Sequence, residues 1–577
     1  MARPMAKTST PSAEWLWTRQ AARATRWLLT ATLLVTGEAC GRPGVSMASD
    51  VPAAEQSPGA RAEGVAGSAT YPWVADQGDG TFRNPVIFGD YSDPDVIRVG
   101  DDFYLTASSF QCTPGLPILR SRDLVNWTIV GYALANLPVA HYEQVEHGAG
   151  VWAPALREHE GTFYIFFPLP DEGIYVLNAA HPAGPWSEPR LLVDGKGLID
   201  PCPLWDDDGQ AYLVHAYARS RAGIKDRLRV RPMSPDASRL LGEGQIVFHD
   251  PTRHPTLEGP KFYKRNGWYY ILAPAGGVAR GWQVALRSRD VYGPYEDRVV
   301  LEQGSTPING PHQGALVDTI DGRSWFVHFQ DAGIYGRIVH LNSVTWQDDW
   351  PLMGVAVPGT SRREPVLQHA KPTAAKLAAG AATITSLPTN DDFDGVRLGL
   401  QWQWHANHKD GWYTLSARHG FLRLFPQPLP EGDFARAPHL LLQKLPARSF
   451  IVDTVLELQE TRGQARAGLI VMGTSHAALT VQEVSGGQEV TLLIDNRPVH
   501  REPIASGPVT LFVAMADGGL CRFAFQVGEG SKKTIVQTFQ AQAGRWIGAK
   551  VGVFAASIGS TGATGHADFA HFTFRAP

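Results

Sequence analysis

The stretch LEGPKFYKRNGWYYILAPAGG, residues 257–277, sets a carboxylate before a Gly-Pro pair, then a polar glycine turn, then an aromatic-apolar strand. Four other stretches share its second half: GDDFYLTAS, EGTFYIFFP, DGQAYLVHA and DGRSWFVHF. Their key aromatics are Tyr104, Tyr164, Tyr212, Tyr270 and Trp325, spaced by 60, 48, 58 and 55 residues. A period near 50 is that of a propeller blade. After each strand comes a second turn signal, such as SRDLVNW, HPAGPWSEP or SRDVYGPYE. Each unit thus reads as a four-stranded meander, and five of them fill residues 80–365. The expected fold is all-β, a five-bladed β-propeller, whose radial repetition protects its strand edges.

Eleven to thirteen residues before each key aromatic stand Asp93, Trp152, Asp200, Glu258 and His312. If the repeats are equivalent, these five side chains share the start of the innermost strand and meet at one mouth. An isolated Asp-Pro is an ordinary turn opening. Three carboxylates at one repeated position, beside a Trp and a His, point to a site, because converging like charges are costly.

Composition narrows the classes. The 577 residues are enough for two or more domains, and 52 Lys+Arg against 56 Asp+Glu give a net charge of −4 with no basic stripe. Nucleic acid is therefore not an expected partner. With 17 Trp, 59 Gly and 42 Pro, the chain suits short strands, tight turns and flat ligands. Residues 1–48 read as an export signal: Arg19, Arg23 and Arg26 precede the apolar run Trp27–Val35, too short to span a bilayer. Cys40 stands where a lipoprotein signal places its lipidated cysteine, which would tether the protein to a membrane; cleavage near Ala48 is the rival. Residues 49–79 form an Ala-, Gly-, Pro- and Ser-rich tether. The expected location is outside the cytoplasm, whether periplasmic, extracellular or at an outer membrane. Cys112, Cys202 and Cys521 fit neither a zinc pattern nor a disulfide framework and are expected to be buried thiols.

Two carboxylates in opposite protonation states are the equipment of glycoside hydrolysis. One stays ionised to activate water, the other holds a proton through a raised pKa. A third carboxylate can raise it by repulsion, and the indole of Trp152 offers a stacking platform for a sugar.

Residues 80–365 resemble glycoside hydrolase family 43, whose five-bladed members act on β-xylosides and α-L-arabinofuranosides. The resemblance rests on FRNPVIFGDYSDPDVIRVGDDFYLTASSF, VWAPALREHEGTFYIFF, LIDPCPLWDDDGQAYLV, LEGPKFYKRNGWYYILAPAGG and the YGR at 335–337. It implies an inverting hydrolase with Asp93 as general base, Glu258 as general acid and Asp200 as modulator of that acid. It further implies that Trp152 and Phe110 wall the terminal-sugar subsite and that Arg337 bonds sugar hydroxyls. His312 resembles an axial histidine that helps hold a calcium ion or a water, although neutral imidazole is an unusual calcium ligand. The chemistry itself calls for no cofactor. Asp95, two residues beyond Asp93, is the alternative base.

Residues 366–389 read as a linker, and 390–577 as a β-sandwich, since segments alternate without helical periodicity. This part resembles the C-terminal concanavalin-like sandwich of the family's β-xylosidase branch, which packs on the propeller and lends a loop to the pocket. Asp392 and Asp568 are candidates for a structural calcium, with surface turns as the plainer reading. The expected substrate is hemicellulose, cut from its end to release a pentose. Two other functions compete: a fructan-type glycosidase, from whose Asn-Asp-Pro-Asn-Gly setting Ser92-Asp93-Pro94-Asp95 departs, and a non-catalytic carbohydrate-binding propeller.

Overall fold

The inner hairpin of every repeat turns on a left-handed glycine: Gly100, Gly161, Gly209, Gly267 and Gly322, with φ between 60° and 81°. A side chain is disfavoured there, which is why the polar glycine turn recurs in the sequence. The computed structural model describes residues 71–372, 384–459, 464–558 and 565–577. The export signal, Cys40 and most of the tether lie outside the described residues, as does the middle of the expected linker.

Five antiparallel four-stranded sheets follow in chain order. Their innermost strands are Asp95–Val99, Ala155–His159, Leu198–Trp205, Lys261–Arg265 and His312–Asp318, and their outermost end at Leu134, Asp194, Phe248, Leu301 and Met353. The second strands carry the key aromatics and are almost wholly buried. Each blade is apolar on both faces because each is packed between two neighbours. Five apolar clusters occupy the five seams: Tyr104 with Phe167 between blades 1 and 2, Phe166 with Leu213 between 2 and 3. Val214 with Ile271 fills seam 3–4, Leu272 with Phe326 seam 4–5, and Trp325 with Phe103 the closing seam 5–1. At about 1.5–3 kcal/mol per buried large side chain, these seams hold the ring.

Closure is reinforced from outside the blades. Thr81–Arg83 pairs with Gln368–Ala370, which lies inside the stretch expected as linker. Asn84 bonds Leu341 and Val366 carbonyls at 2.8 and 2.9 Å and accepts from the Leu341 amide at 2.9 Å.

The C-terminal third is a sandwich of two eight-stranded sheets. Its core runs through Leu456, Leu469, Val513 and Phe569, and it takes in Phe88, Tyr335 and Ile338 from the propeller. A two-way backbone bridge joins Thr113 to Trp404, and Tyr335 donates to Asp517 at 2.6 Å. Asp568 is buried and held by Arg423 at 2.7 and 2.8 Å and by Arg418 at 3.3 Å. With its oxygens spent on two guanidinium groups, Asp568 is a structural ion pair and not half of a calcium site. Cys112, Cys202 and Cys521 are free and buried.

Candidate active site

Strand register refines the shared address expected of the five side chains. Ile97, Arg157, Leu204, Tyr263 and Val317 pair with the five key aromatics. Counting back four residues from each gives Asp93, Ala153, Asp200, Gly259 and Gln313; counting back five gives Ser92, Trp152, Ile199, Glu258 and His312. The mouth is therefore built from two adjacent positions. At the first, the backbone is left-handed in four blades: Asp93 (φ 54°), Asp200 (56°), Gly259 (59°) and Gln313 (37°). Asp is among the few side-chain-bearing residues that tolerate this region. The kink turns Asp93 and Asp200 inward from one position and Glu258 from the next. In blades 3 and 5 it coincides with a bulge in the register.

Asp93 is buried and surrounded by donors. Ser92 and Ser108 hydroxyls donate to its Oδ2 at 2.8 and 2.6 Å, and Arg337 Nη1 lies 3.1 Å from Oδ1. Such an acceptor-only setting suits an ionised carboxylate. Among the described residues Oδ1 is bonded by the guanidinium alone, so it retains a lone pair for a water.

Glu258 is the opposite case. No hydrogen bond to its carboxyl is formed among the described residues; His312 Nε2 stands 3.7 Å from it, and its side chain is 26 % exposed. Burial first, then the Asp200 anion, push its carboxyl up to about 8, against the pull of Arg337. Asp200 accepts the amide of Gly259, next to Glu258, at 2.7 Å. Burial lifts its carboxyl to about 7, Asp93 adds to the rise, and the Gly259 amide opposes it. One carboxylate is thus fixed for accepting a proton and another is tuned to hold one.

His312 is fully buried, and among the described residues neither ring nitrogen has a hydrogen-bond partner. Burial and then Arg337 hold its pKa at about 3, so the ring is neutral. Among the described residues, no three His, Cys, Asp or Glu side chains gather as a metal site would require. A lone imidazole beside a guanidinium does not fit a cation that takes six to eight oxygens. A water shared by His312 and Glu258 fits better.

The other expected residues are also here. Trp152 Nε1 donates to the Gly148 carbonyl at 3.0 Å. Phe110 and Val151 exchange backbone bonds of 2.9 and 3.0 Å, which sets Phe110 beside Trp152. A Cβ at Gly150 would stand 2.2 Å from the Phe110 carbonyl oxygen, so only glycine permits this approach. Arg337 uses Nη1 for Ser92 and Asp93, and no described residue accepts from its Nε or Nη2.

Asp95 is not a second base. It lies on the axis beneath the mouth, fully buried, with Arg157 at 2.6 Å, Lys261 at 3.6 Å and the Leu156 amide at 2.7 Å. Two residues further along the chain from Asp93, it is taken up in an ion cluster shared by the innermost strands of blades 1, 2 and 4.

Two residues of the site escaped the sequence reading. Trp546, on a sandwich loop, has its ring 6.4 Å from that of Trp152 and 5.9 Å from the Arg337 guanidinium carbon. Asp90 accepts the Arg337 amide and the Gly548 amide, each at 2.9 Å, and so ties the YGR turn to the same loop. The contacts that mark both residues join positions hundreds of residues apart; only the aromatic of RW at 545–546 carried a weak local signal.

Comparison with known proteins agrees with this geometry. Residues 82–351 match the model of the glycosyl hydrolases family 43, and 390–575 that of the β-xylosidase C-terminal concanavalin A-like domain. A Xylanibacter ruminicola protein provisionally named a β-xylosidase is 42 % identical over 399 residues, 69 % of this chain and 72 % of that protein. The Bacteroides ovatus non-reducing end α-L-arabinofuranosidase BoGH43B is 28 % identical over 86 % of this chain and 95 % of its own. The crystal structure of BlXynB from Bacillus licheniformis, a GH43 protein, superposes with a TM-score of 0.75 at 25 % identity, covering 86 % of this chain and all of that one. The fold and the site define a glycoside hydrolase. The chain belongs to glycoside hydrolase family 43, in the branch that carries the concanavalin-type sandwich.

Proposed function

We propose that the enzyme releases a terminal pentose from xylan- or arabinan-type saccharides with inversion, as a β-xylosidase, an α-L-arabinofuranosidase or both. The observation that carries this is the contrast between Asp93, pinned by Arg337 and two serines, and Glu258, held up at about 8. Asp93 takes a proton from water as that water attacks the anomeric carbon. Glu258 gives its proton to the departing oxygen. Asp200 stays beside Glu258 and keeps its proton in place until the bond breaks.

Trp152, Phe110 and Trp546 stack on the sugar, and the free nitrogens of Arg337 bond its hydroxyls. Relatives named for xylosides and for arabinofuranosides support the pentose class. The reaction uses no metal, because acid and base are both protein groups, and His312 holds a water against Glu258. A fructan-type nucleophile is disfavoured by the Ser92-Asp93-Pro94-Asp95 setting, and a carbohydrate-binding propeller would have no use for a raised acid. Export is part of the proposal, either with a membrane tether through a lipidated Cys40 or with cleavage near Ala48.

The test is a panel of nitrophenyl glycosides, with NMR of the first-formed sugar. Hydrolysis of a β-xyloside or α-L-arabinofuranoside to the inverted anomer is expected. A retained anomer, or cleavage confined to fructosides or hexosides, would overturn the proposal.

A further inference from the structure

A second cleft, of about 410 Å³, opens between blades 2 and 3, lined by His159, Glu160, Tyr164, Trp205, Asp206 and Asp236. Its volume falls in the range of small-molecule sites, about 300–1,000 Å³. Glu160 and Asp206 border the turns after the innermost strands, whereas Trp152 precedes its strand and Asp200 stands near the start of its own. Seven residues separate Trp152 from His159, up to about 23 Å at about 3.3 Å per residue. The cleft therefore lies on the propeller face opposite the active site.

Its walls are aromatic. His159 is stacked on Trp205 at 4.7 Å and 12°, and Tyr164 lies 5.2 Å from the same indole. Trp205 is fixed by its Nε1 donating to the Pro235 carbonyl at 2.7 Å, so the platform is rigid. Its rim is acidic. Asp206 is spent on Lys264 and Tyr269, but the Glu160 carboxylate and both nitrogens of His159 have no partner among the described residues, and Asp236 is exposed. Flat rings beside the unpartnered Glu160 carboxylate and the exposed Asp236, one of whose oxygens accepts the Ser238 amide at 3.0 Å, suit one ligand chemistry: a ring with apolar C–H faces and several hydroxyl donors. Carboxylates accept such hydroxyls in short, charge-assisted bonds, and they repel anions. The carboxylates do not gather as a cation site.

We propose that this cleft binds neutral saccharide, a second carbohydrate site that anchors the enzyme on polymer while the active site works on a free end. That the saccharide is a pentose oligomer rests on the function proposed above. The experiment uses the full chain with Glu258→Gln to stop turnover, titrated calorimetrically with xylohexaose, arabinohexaose and trigalacturonate.

At least one neutral hexaose should bind, and the pair His159→Ala/Glu160→Lys, on a surface turn, should lower its stoichiometry by one site. Trp205→Phe should preserve the blade seam and weaken only that site, about three- to tenfold, as expected for one altered aromatic contact. In the unblocked enzyme, Glu160→Lys should leave hydrolysis of nitrophenyl β-xyloside and α-L-arabinofuranoside unchanged. Stoichiometry that the pair does not alter, or trigalacturonate bound at the cleft as well as the neutral sugars, would overturn the proposal. Failure of the hydrolase reading would show separately, as absence of pentoside hydrolysis in the enzyme with Glu258 intact.

Discussion

Replacing Asp200 with Asn isolates the charge that tunes Glu258. The substitution is nearly isosteric, its Oδ1 can still accept the Gly259 amide, and Asn tolerates the left-handed backbone at φ 56°. Only the charge changes. Asp200 bonds the residue next to Glu258, and a like charge at such close range, at an effective permittivity of about 20, costs on the order of 3 kcal/mol, or about 2 pH units. Glu258 is 26 % exposed, and solvent screening reduces this to about one unit. Asp200 raises the pKa of Glu258, so its loss lowers that pKa, from about 8 toward about 7. The acid works only when protonated, so the high-pH limb of kcat/KM moves to lower pH by about one unit. At pH 8 the protonated fraction falls from about one half to about one tenth, and the rate falls about fivefold from this cause alone. The assay is the pH profile of kcat/KM on xylobiose or another substrate whose leaving group needs protonation. A limb that stays in place or moves to higher pH would refute the assignment of Asp200 as modulator.

Glu258→Gln should lose about 10²–10⁴-fold on disaccharides yet far less on dinitrophenyl glycosides, whose leaving group departs unaided, whereas Asp93→Asn should lose that much on both. Equal sensitivity of the two variants to leaving-group quality, measured as kcat/KM across an aryl series, would reverse the roles. Asp95→Asn should unfold at lower denaturant, by about 3–5 kcal/mol as for a broken buried ion pair; an unchanged midpoint would remove it from the axial cluster. Trp546→Ala, on a ring that is 45 % exposed, should reduce kcat/KM on pentosides about tenfold without moving the melting temperature. Full activity in that variant would take the sandwich out of the pocket.

The blades were legible because each hairpin needs a glycine at φ near 60–80° followed by an apolar strand, and both leave marks in a single repeat. The carboxylates were legible for a related reason: Asp-Pro and Glu-Gly-Pro record the kink that turns them inward. The one-residue offset between Asp93 and Glu258 shows in the spacing, 11 against 12 residues before Tyr104 and Tyr270, but reading it as two inward positions needs the pairing of the inner hairpins. Asp95 stayed open as the alternative base because strand alternation gives it the same face as Asp93, and its partners Arg157 and Lys261 come from blades 2 and 4. Asp90, Gly548 and Trp546 were invisible because the contacts that define them join the two domains. The acidic cleft of blades 2 and 3 left no local mark either, since His159 and Tyr164 come from blade 2 and Trp205 from blade 3.

The buried cluster of Asp95, Arg157 and Lys261 makes the mouth a blind well, and this orders the catalytic cycle. A sugar seated over Asp93 has no passage through the ring and must leave by the way it came, past the departing remainder of the chain. The leaving group goes first and the monosaccharide second. Free pentose returning to the empty well then meets the same walls as the substrate's terminal residue, so accumulating product competes directly with each new chain end and slows the enzyme as a digest nears completion.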